Sequence, residues 1–340
     1  MSDAVFKEDT AAVQNLLRCY ELLPELFEEL LMPSIFYQGN LPLPLKLVMN
    51  LNSLLAWVLG NSHDTEAMKE SVRLGYEGSY TDDVWRYDEV GLEQYSVLAS
   101  ELLKDVDFED KEVLDLGCGT GVLSMIALEK GAKRVVLGDC SELLLDGCQK
   151  KMTGSGYSSE RIDFRQLDVE SLPFEDRCFD VIISGMMLGM VPGQETAVSE
   201  MLRVLRSGGS LALSTHGPGW YYEAVVALFT ALSRLCPLDL AGSPFGFWPL
   251  REKGIHILLT QAGMVDISVR RFFEQIDFER GGMTYDHIAA CSGSFFYSTL
   301  TPEKREEAQH KIREYFEKTH VTKLTHDVFM AYGRKPSASA

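Results

Sequence analysis

Basic residues are in short supply: 32 Lys and Arg stand against 50 Asp and Glu, a formal net charge of −18 over 340 residues. A surface of that sign repels phosphate backbones and anionic lipid headgroups, which argues against nucleic acid and membrane surfaces as partners. Cysteine is sparse and unpaired in pattern, with seven residues at 19, 118, 140, 148, 178, 236 and 291. That spacing suits neither a zinc site nor a disulfide scaffold, so no metal is expected and the setting reads as a reducing cytoplasm. Long apolar runs are missing too. In the most hydrophobic window, 41–60, Pro42, Pro44, Lys46, Asn50 and Asn52 leave only Leu54–Leu59 free of polar residues, far short of the ~20 residues that span a bilayer. The first ten residues include Asp3, Glu8 and Asp9 and no apolar core, which excludes a signal or transit peptide there. Neither an internal repeat nor a low-complexity linker is present.

What the chain does have is a hydrophobic content of 46%, ample for a core, in a length that suggests one core fold with added elements. Residues 113–121 read Val-Leu-Asp-Leu-Gly-Cys-Gly-Thr-Gly. A β-branched and aliphatic run thus ends in glycines at 117, 119 and 121, and a backbone without Cβ atoms there approaches a nucleoside ligand closely. The spacing is Gly-x-Gly-x-Gly. The dinucleotide fingerprint needs its third glycine one position later, and no Gly-Lys-Ser/Thr follows, so both that fingerprint and the P-loop are excluded.

Downstream, helix 121–130, strand 134–137, helix 142–152, strand 162–166, strand 181–184, helix 194–204 and strand 210–215 alternate, and Gly208-Gly209 turns into the fifth strand. Strands separated by helical patterns imply a parallel sheet with right-handed crossovers, an α/β doubly wound fold. Residues 265–272 and 327–332 are strand-like as well. Upstream, 1–94 reads as a helical extension: apolar residues recur at helical steps over 10–31, interrupted by Pro24, and helical stretches at 45–59 and 65–74 follow. Residues 95–340 form the main domain, with a helix at 95–103 before the glycine motif. Two insertions, about 217–263 and 275–323, are too hydrophobic for disorder and are expected to be helices over the active face.

Ligands of an open α/β sheet lie beyond the carboxyl ends of its strands, so polar residues there are candidates. Asp139 ends the second strand 18 residues after Gly121, the separation at which a carboxylate accepts from ribose hydroxyls. The competing role is a helix N-cap, because Ser141 and Glu142 open the next helix. His216 directly follows the fifth strand and is the best candidate base, ahead of His256 and His287; a purely structural imidazole is its alternative.

With Asp115 two positions before its first glycine, the motif resembles motif I of the class I S-adenosylmethionine-dependent methyltransferases. Residues 95–216 resemble the group often called type 11. The resemblance implies a seven-stranded Rossmann-like sheet whose seventh strand is antiparallel. It implies S-adenosylmethionine held by Asp115, Gly117, Cys118, Gly119, Gly121, Asp139, Cys140, Ser184 and Gly185. Asp168, in Leu-Asp-Val-Glu-Ser-Leu-Pro-Phe, would accept from the adenine amino group, with the Val169 N–H completing that edge; a solvent-facing turn aspartate is the alternative. Met186 and Met187 would border the methionine moiety, and tyrosines of 76–87 would close over the cofactor. Tyr87 is a second catalytic candidate, and Tyr80, Met187, Trp220 and Tyr221 are candidate substrate contacts. Arg86, Arg251 and Arg270 offer charge for a substrate carboxylate. Many relatives carry a His pair after the fourth strand where this chain has Leu188-Gly189-Met190, so no role rests on that pair.

The sulfonium of this cofactor is strongly electrophilic, so positioning dominates and a general base is optional. The expectation is methyl transfer to a small-molecule oxygen, nitrogen or sulfur nucleophile. Two alternatives stand: S-methylation of a thioether acid without a base, and an inactive cofactor-binding partner subunit. An NAD-dependent oxidoreductase is disfavoured by the glycine spacing, and arsenite methylation by the cysteine pattern. The apolar leader suggests a homodimer through the N-terminal helices.

Overall fold

A computed structural model describes residues 65–66, 69–70, 72–73, 95–158, 160–217, 220, 223, 227, 252–277 and 301–337. The helices expected over 10–31 and 45–59 lie outside these residues. Of the stretch 65–74, the described positions are helical.

Seven strands form one sheet in the order β3-β2-β1-β4-β5-β7-β6. They are β1 (Glu112–Leu116), β2 (Arg134–Asp139), β3 (Ile162–Gln166), β4 (Phe179–Ser184), β5 (Leu205–His216), β6 (Val265–Asp277) and β7 (Lys323–Arg334). The first five pair in parallel and β7 runs antiparallel between β5 and β6. This is the seven-stranded, Rossmann-like α/β arrangement expected from the sequence. The helices are α1 (Val122–Glu129), α2 (Glu142–Gly154), α3 (Gln194–Val204), α4 (Glu252–Ala262) and α5 (Pro302–Thr319), with a further helical segment at 95–103.

Central strands are covered on both faces, so they read as continuous aliphatic runs whose alternate residues feed different cores. In β1, Val113 packs with Leu102, Leu123, Ala127 and Met152, on the side of α1, α2 and segment 95–103. Leu114 and Leu116 pack instead with Val198, Met201 and Leu259, on the side of α3 and α4. Asp115, two residues after Val113, therefore points to the α1 side, and Asp139 follows the same parity after Val135 and Leu137.

The largest departures from the pattern-based boundaries fall on β5, β6 and β7. β5 begins at Leu205 and pairs with Phe179, then bulges at Gly208 (φ 77°) before Ser210 pairs with Val181. The ladder therefore runs through the glycine pair that reads as a turn. β6 extends to Asp277 and β7 begins at Lys323, because their ladder continues through Gln275–Thr325 and Asp277–Lys323. Backbone pairing, which leaves no apolar signature, carries that extension.

The expectation of helices over the active face fails for α4. Its Ile255, Leu258 and Leu259 are buried in the second core with Met201 and Val204, as the layer helix between β5 and β6. Helix α5 starts with Thr301, whose side chain accepts from the Lys304 N–H, and buries Ala308, Ile312 and Phe316. Among the described residues, no helix is long and apolar enough to cross a membrane.

Candidate functional site

The turn from β1 to α1 takes positive φ at Gly117 (69°), Gly119 (52°) and Gly121 (85°). It is pinned to β2 by the N–H groups of Gly117 and Cys118, which both donate to the Gly138 carbonyl at 2.8 and 3.1 Å. Among the described residues, a Cβ added to Gly119 would meet no atom within 4 Å beyond its own chain neighbours, so on their side the turn is open. α1 starts at Gly121, whose lack of a side chain gives it no cap, and the Ser124 amide of its first turn faces the Asp115 carboxylate beneath; a helix N-terminus of this kind is a favourable place for a carboxylate.

Beneath the turn, Asp115 is fully buried and its Oδ2 accepts the Ser124 hydroxyl at 2.6 Å. Its Oδ1 has no hydrogen-bond partner among the described residues. Burial raises the carboxyl pKa to about 7, against the Ser124 hydrogen bond. Asp139 lies beside it, with Oδ2 accepting the Gly119 N–H at 2.9 Å and Oδ1 the Ser141 N–H at 3.0 Å. Burial pushes its pKa up, opposed by these amides. The N-cap of α2 is Ser141, whose Oγ accepts the Leu144 N–H at 3.3 Å, so that alternative for Asp139 falls to its neighbour. The Cys140 amide and thiol also face this carboxylate, so its oxygens would serve a vicinal diol beside several protein donors.

Cys118 is buried in the core with Cys148, and contact with Cys148 and burial raise its thiol pKa, so only its backbone faces the turn. Cys140 is exposed at the end of β2. Ser184 donates its hydroxyl to the Leu116 carbonyl at 2.9 Å, tying β4 to β1. Gly185 follows, and the Met186 N–H donates to the Ser214 carbonyl at 3.0 Å. Met187 covers the turn: a Cβ on Gly117 would lie 2.5 Å from its Cγ.

After β3, the half-exposed Asp168 accepts the Lys69 ammonium at 2.8 Å on Oδ2 and the Glu170 N–H at 2.9 Å on Oδ1. Val169 packs its side chain against the second core. Lys69 also lies 3.4 Å from Glu170, whose Oε1 accepts the Gly193 N–H at 3.1 Å. Burial opposes the ammonium, yet Asp168 and Glu170 outweigh it and raise its pKa.

On the other side of the crevice, Trp220 stands edge-on between His216 and His326, with ring centroids 5.3 and 5.2 Å apart. His216 shares the α1-side face with Ser214, two residues past the one that binds Met186. Burial lowers the His216 pKa to about 3 and that of His326 to about 4. The His326 Nδ1 lies 3.1 Å from the Leu324 carbonyl, which in the neutral ring puts the proton on Nδ1 and leaves Nε2 the acceptor. Fully buried Asp327 is gripped by Arg271 at 2.6 and 2.7 Å, and Glu223 accepts from the Thr325 hydroxyl at 2.7 Å.

Pattern reading misses Lys69, Ser124, His326 and Asp327. Only Ser124, on the inner face of α1, carries a local cue, as a polar residue at a buried helical position. Arg270 is not available to a substrate: it donates to Glu101, to the Glu101 carbonyl and to the Tyr332 hydroxyl, joining segment 95–103 to the sheet. Tyr80, Tyr87 and Tyr221, with Arg86, Arg251 and His287, lie outside the described residues. His256 sits on the exposed side of α4, its Nδ1 3.4 Å from the Thr260 hydroxyl.

The family described as Methyltransferase domain matches residues 113–209, which run from β1 into β5. A ubiquinone/menaquinone biosynthesis C-methyltransferase of Xylella fastidiosa is 36% identical over 114 residues, 32% of this chain and 45% of that protein, so the chain spans less than half the length of that relative. The demethylmenaquinone methyltransferase of Staphylococcus aureus is 30% identical over 230 residues, 62% of this chain and 91% of that protein. Among solved structures, the YcgJ protein of Bacillus subtilis overlaps with a TM-score of 0.47 at 18% identity, covering 72% of this chain and all of that one. The glycine turn with its two buried aspartates, and a relative matched over nearly its whole length, place this chain in the class I S-adenosylmethionine-dependent methyltransferase family.

Proposed function

We propose that the chain transfers the methyl group of S-adenosylmethionine to a small organic acceptor. The observation that carries this reading is the open cradle at Gly119, whose N–H holds the Asp139 carboxylate at 2.9 Å. Around it, Asp139 would accept the ribose hydroxyls. Asp168 and the Val169 N–H would take the adenine edge. The amides opening α1 would meet the carboxylate of the methionine moiety, and the open Oδ1 of Asp115 would receive a donor from the ligand or a water. When bound, the cofactor supplies a methyl group activated by its sulfonium.

The chain's share of the chemistry is orientation: Met187 and Trp220 confine the acceptor, and the crevice excludes water. His216 and His326 are neutral at pH 7 and can accept a hydrogen bond from an acceptor hydroxyl or amine. Their low pKa values make them weak bases, since efficient proton removal needs a pKa near the working pH. That observation favours acceptors that need no strong base. A thioether sulfur is one; an ionised phenol or an electron-rich ring carbon is another, and the name of the Xylella relative, a C-methyltransferase, supports carbon as an acceptor atom.

The test combines calorimetry with turnover. S-adenosylhomocysteine should bind, NAD should not, and methyl transfer should appear in a panel of thioether acids, phenols, hydroquinones and amines. Binding of NAD without S-adenosylhomocysteine overturns the cofactor assignment. Cofactor binding without transfer to any member, restored by a partner protein, supports the non-catalytic subunit instead.

A further inference from the structure

We infer that Lys69 is a positioning residue for the adenine end of the cofactor, fastening the N-terminal extension onto the carboxylate that selects the adenine amino group. The inference rests on the assignment of Asp168 to adenine. Lys69 is 99 residues away from Asp168 in sequence, yet its ammonium meets Oδ2 at 2.8 Å while the Glu170 N–H meets Oδ1 at 2.9 Å. One contact on each oxygen stops the carboxylate from rotating about its last bond. A loop aspartate that is half exposed would otherwise sample several orientations, and each must be given up when a ligand binds. Each oxygen retains a lone pair, so the ammonium does not compete with the adenine amino group for the same site.

The second contact gives the arrangement its reach. Lys69 also lies 3.4 Å from Glu170, and Glu170 accepts the Gly193 N–H that precedes α3. A single cation therefore joins three separate parts of the chain: the helical residues around 69–73, the loop after β3 and the loop after β4. Val72 is buried on the same helical stretch, so the cation sits beside an apolar contact rather than on a free arm. In a chain of net charge −18, this ammonium among Glu66, Asp168 and Glu170 also offsets the repulsion those carboxylates would otherwise exert on one another.

The experiment measures binding of S-adenosylhomocysteine and of S-inosylhomocysteine, which carries oxygen in place of the adenine amino group, by calorimetry at low and high salt. Full-length wild type, Lys69→Met and Lys69→Arg are compared, with thermal melts to verify folding. Wild type should prefer the adenosyl ligand. Lys69→Met should lose about three- to fivefold in affinity for the adenosyl ligand, the scale of a partly exposed ion pair, with little change for the inosyl ligand. Its preference then shrinks, and its salt dependence flattens; Lys69→Arg should restore both. Equal losses for the two ligands mean a structural role and overturn the inference, as does unchanged or tighter binding by Lys69→Met. Failure of wild type to bind either ligand overturns the cofactor assignment itself, a result distinct from all of these.

Discussion

A methyl group on Gly119 would enter space that no other described residue occupies, at a φ of 52° that costs an alanine about 1 kcal/mol. Gly119→Ala should therefore fold with a small loss of stability but lose at least tenfold in affinity for S-adenosylhomocysteine, read by calorimetry beside a thermal melt; unchanged affinity would empty the cradle of meaning. Gly121 differs, because its added Cβ would lie 2.6 Å from the Cys148 Sγ, so the same substitution there damages the core first. Asp115 yields a pH prediction. Its folded pKa of about 7 lies above the ordinary 3.8, so the fold favours the protonated form. The stability this contributes is whole below about pH 4 and is lost as pH rises through about 7. Asp115→Asn is neutral throughout, so its stability relative to the ligand-free wild type should climb between those limits and then level off; a constant difference in melting temperature across that window refutes it. Residues whose chemistry depends on near neighbours were legible: Asp115, Gly119 and Asp139 announce themselves by spacing to one turn. Lys69 and His326 were not, because Asp168, Glu170 and Trp220, which they meet, lie far away in the sequence and no local pattern encodes that meeting.

At the scale of elements, the β6–β7 pair decides what surrounds the proposed acceptor side. Arg271 on β6 holds Asp327 on β7 through both carboxylate oxygens, and Asp327 is fully buried whereas the arginine is about half exposed. Arg271→Met leaves that carboxylate without its cation. The expected loss is about 2 kcal/mol, discounted from a fully buried pair because water reaches the guanidinium, and is read as a lower urea midpoint at unchanged slope. The parallel α/β alternation was foreseeable from helical and extended patterns, though not the order of the strands across the sheet, and β1 to β4 lie within two residues of where the sequence puts them. The longer β5, β6 and β7 were not foreseeable in extent, since a bulge at Gly208 and ladder bonds through Phe273–Asp277 owe nothing to hydrophobic period. Helix α4 shows the complementary failure: its Ile255, Leu258 and Leu259 stripe is plain, but a stripe does not say which side of the sheet it will cover.

For the molecule as a whole, a net charge of −18 means self-repulsion that dilute salt relieves. Raising sodium chloride from about 20 to about 200 mM should raise the melting temperature, since the Debye length shrinks to below 10 Å; a fall would show that specific ion pairs, such as that of Lys69, outweigh the general field. Saturating S-adenosylhomocysteine at about 100 times its dissociation constant should add a further ~2.7 kcal/mol. The position of β7 has its own consequence. Everything from β1 to Gly193 that is assigned to the cofactor is nearly contiguous in sequence, so a growing chain can assemble the donor half early. His326 and Asp327 arrive only when β7 slides between β5 and β6, more than 100 residues after His216. On the proposed assignment, the residues for the methyl donor thus leave synthesis well before the last part of the acceptor wall, and a nascent chain could hold a place for the donor while that wall is still incomplete.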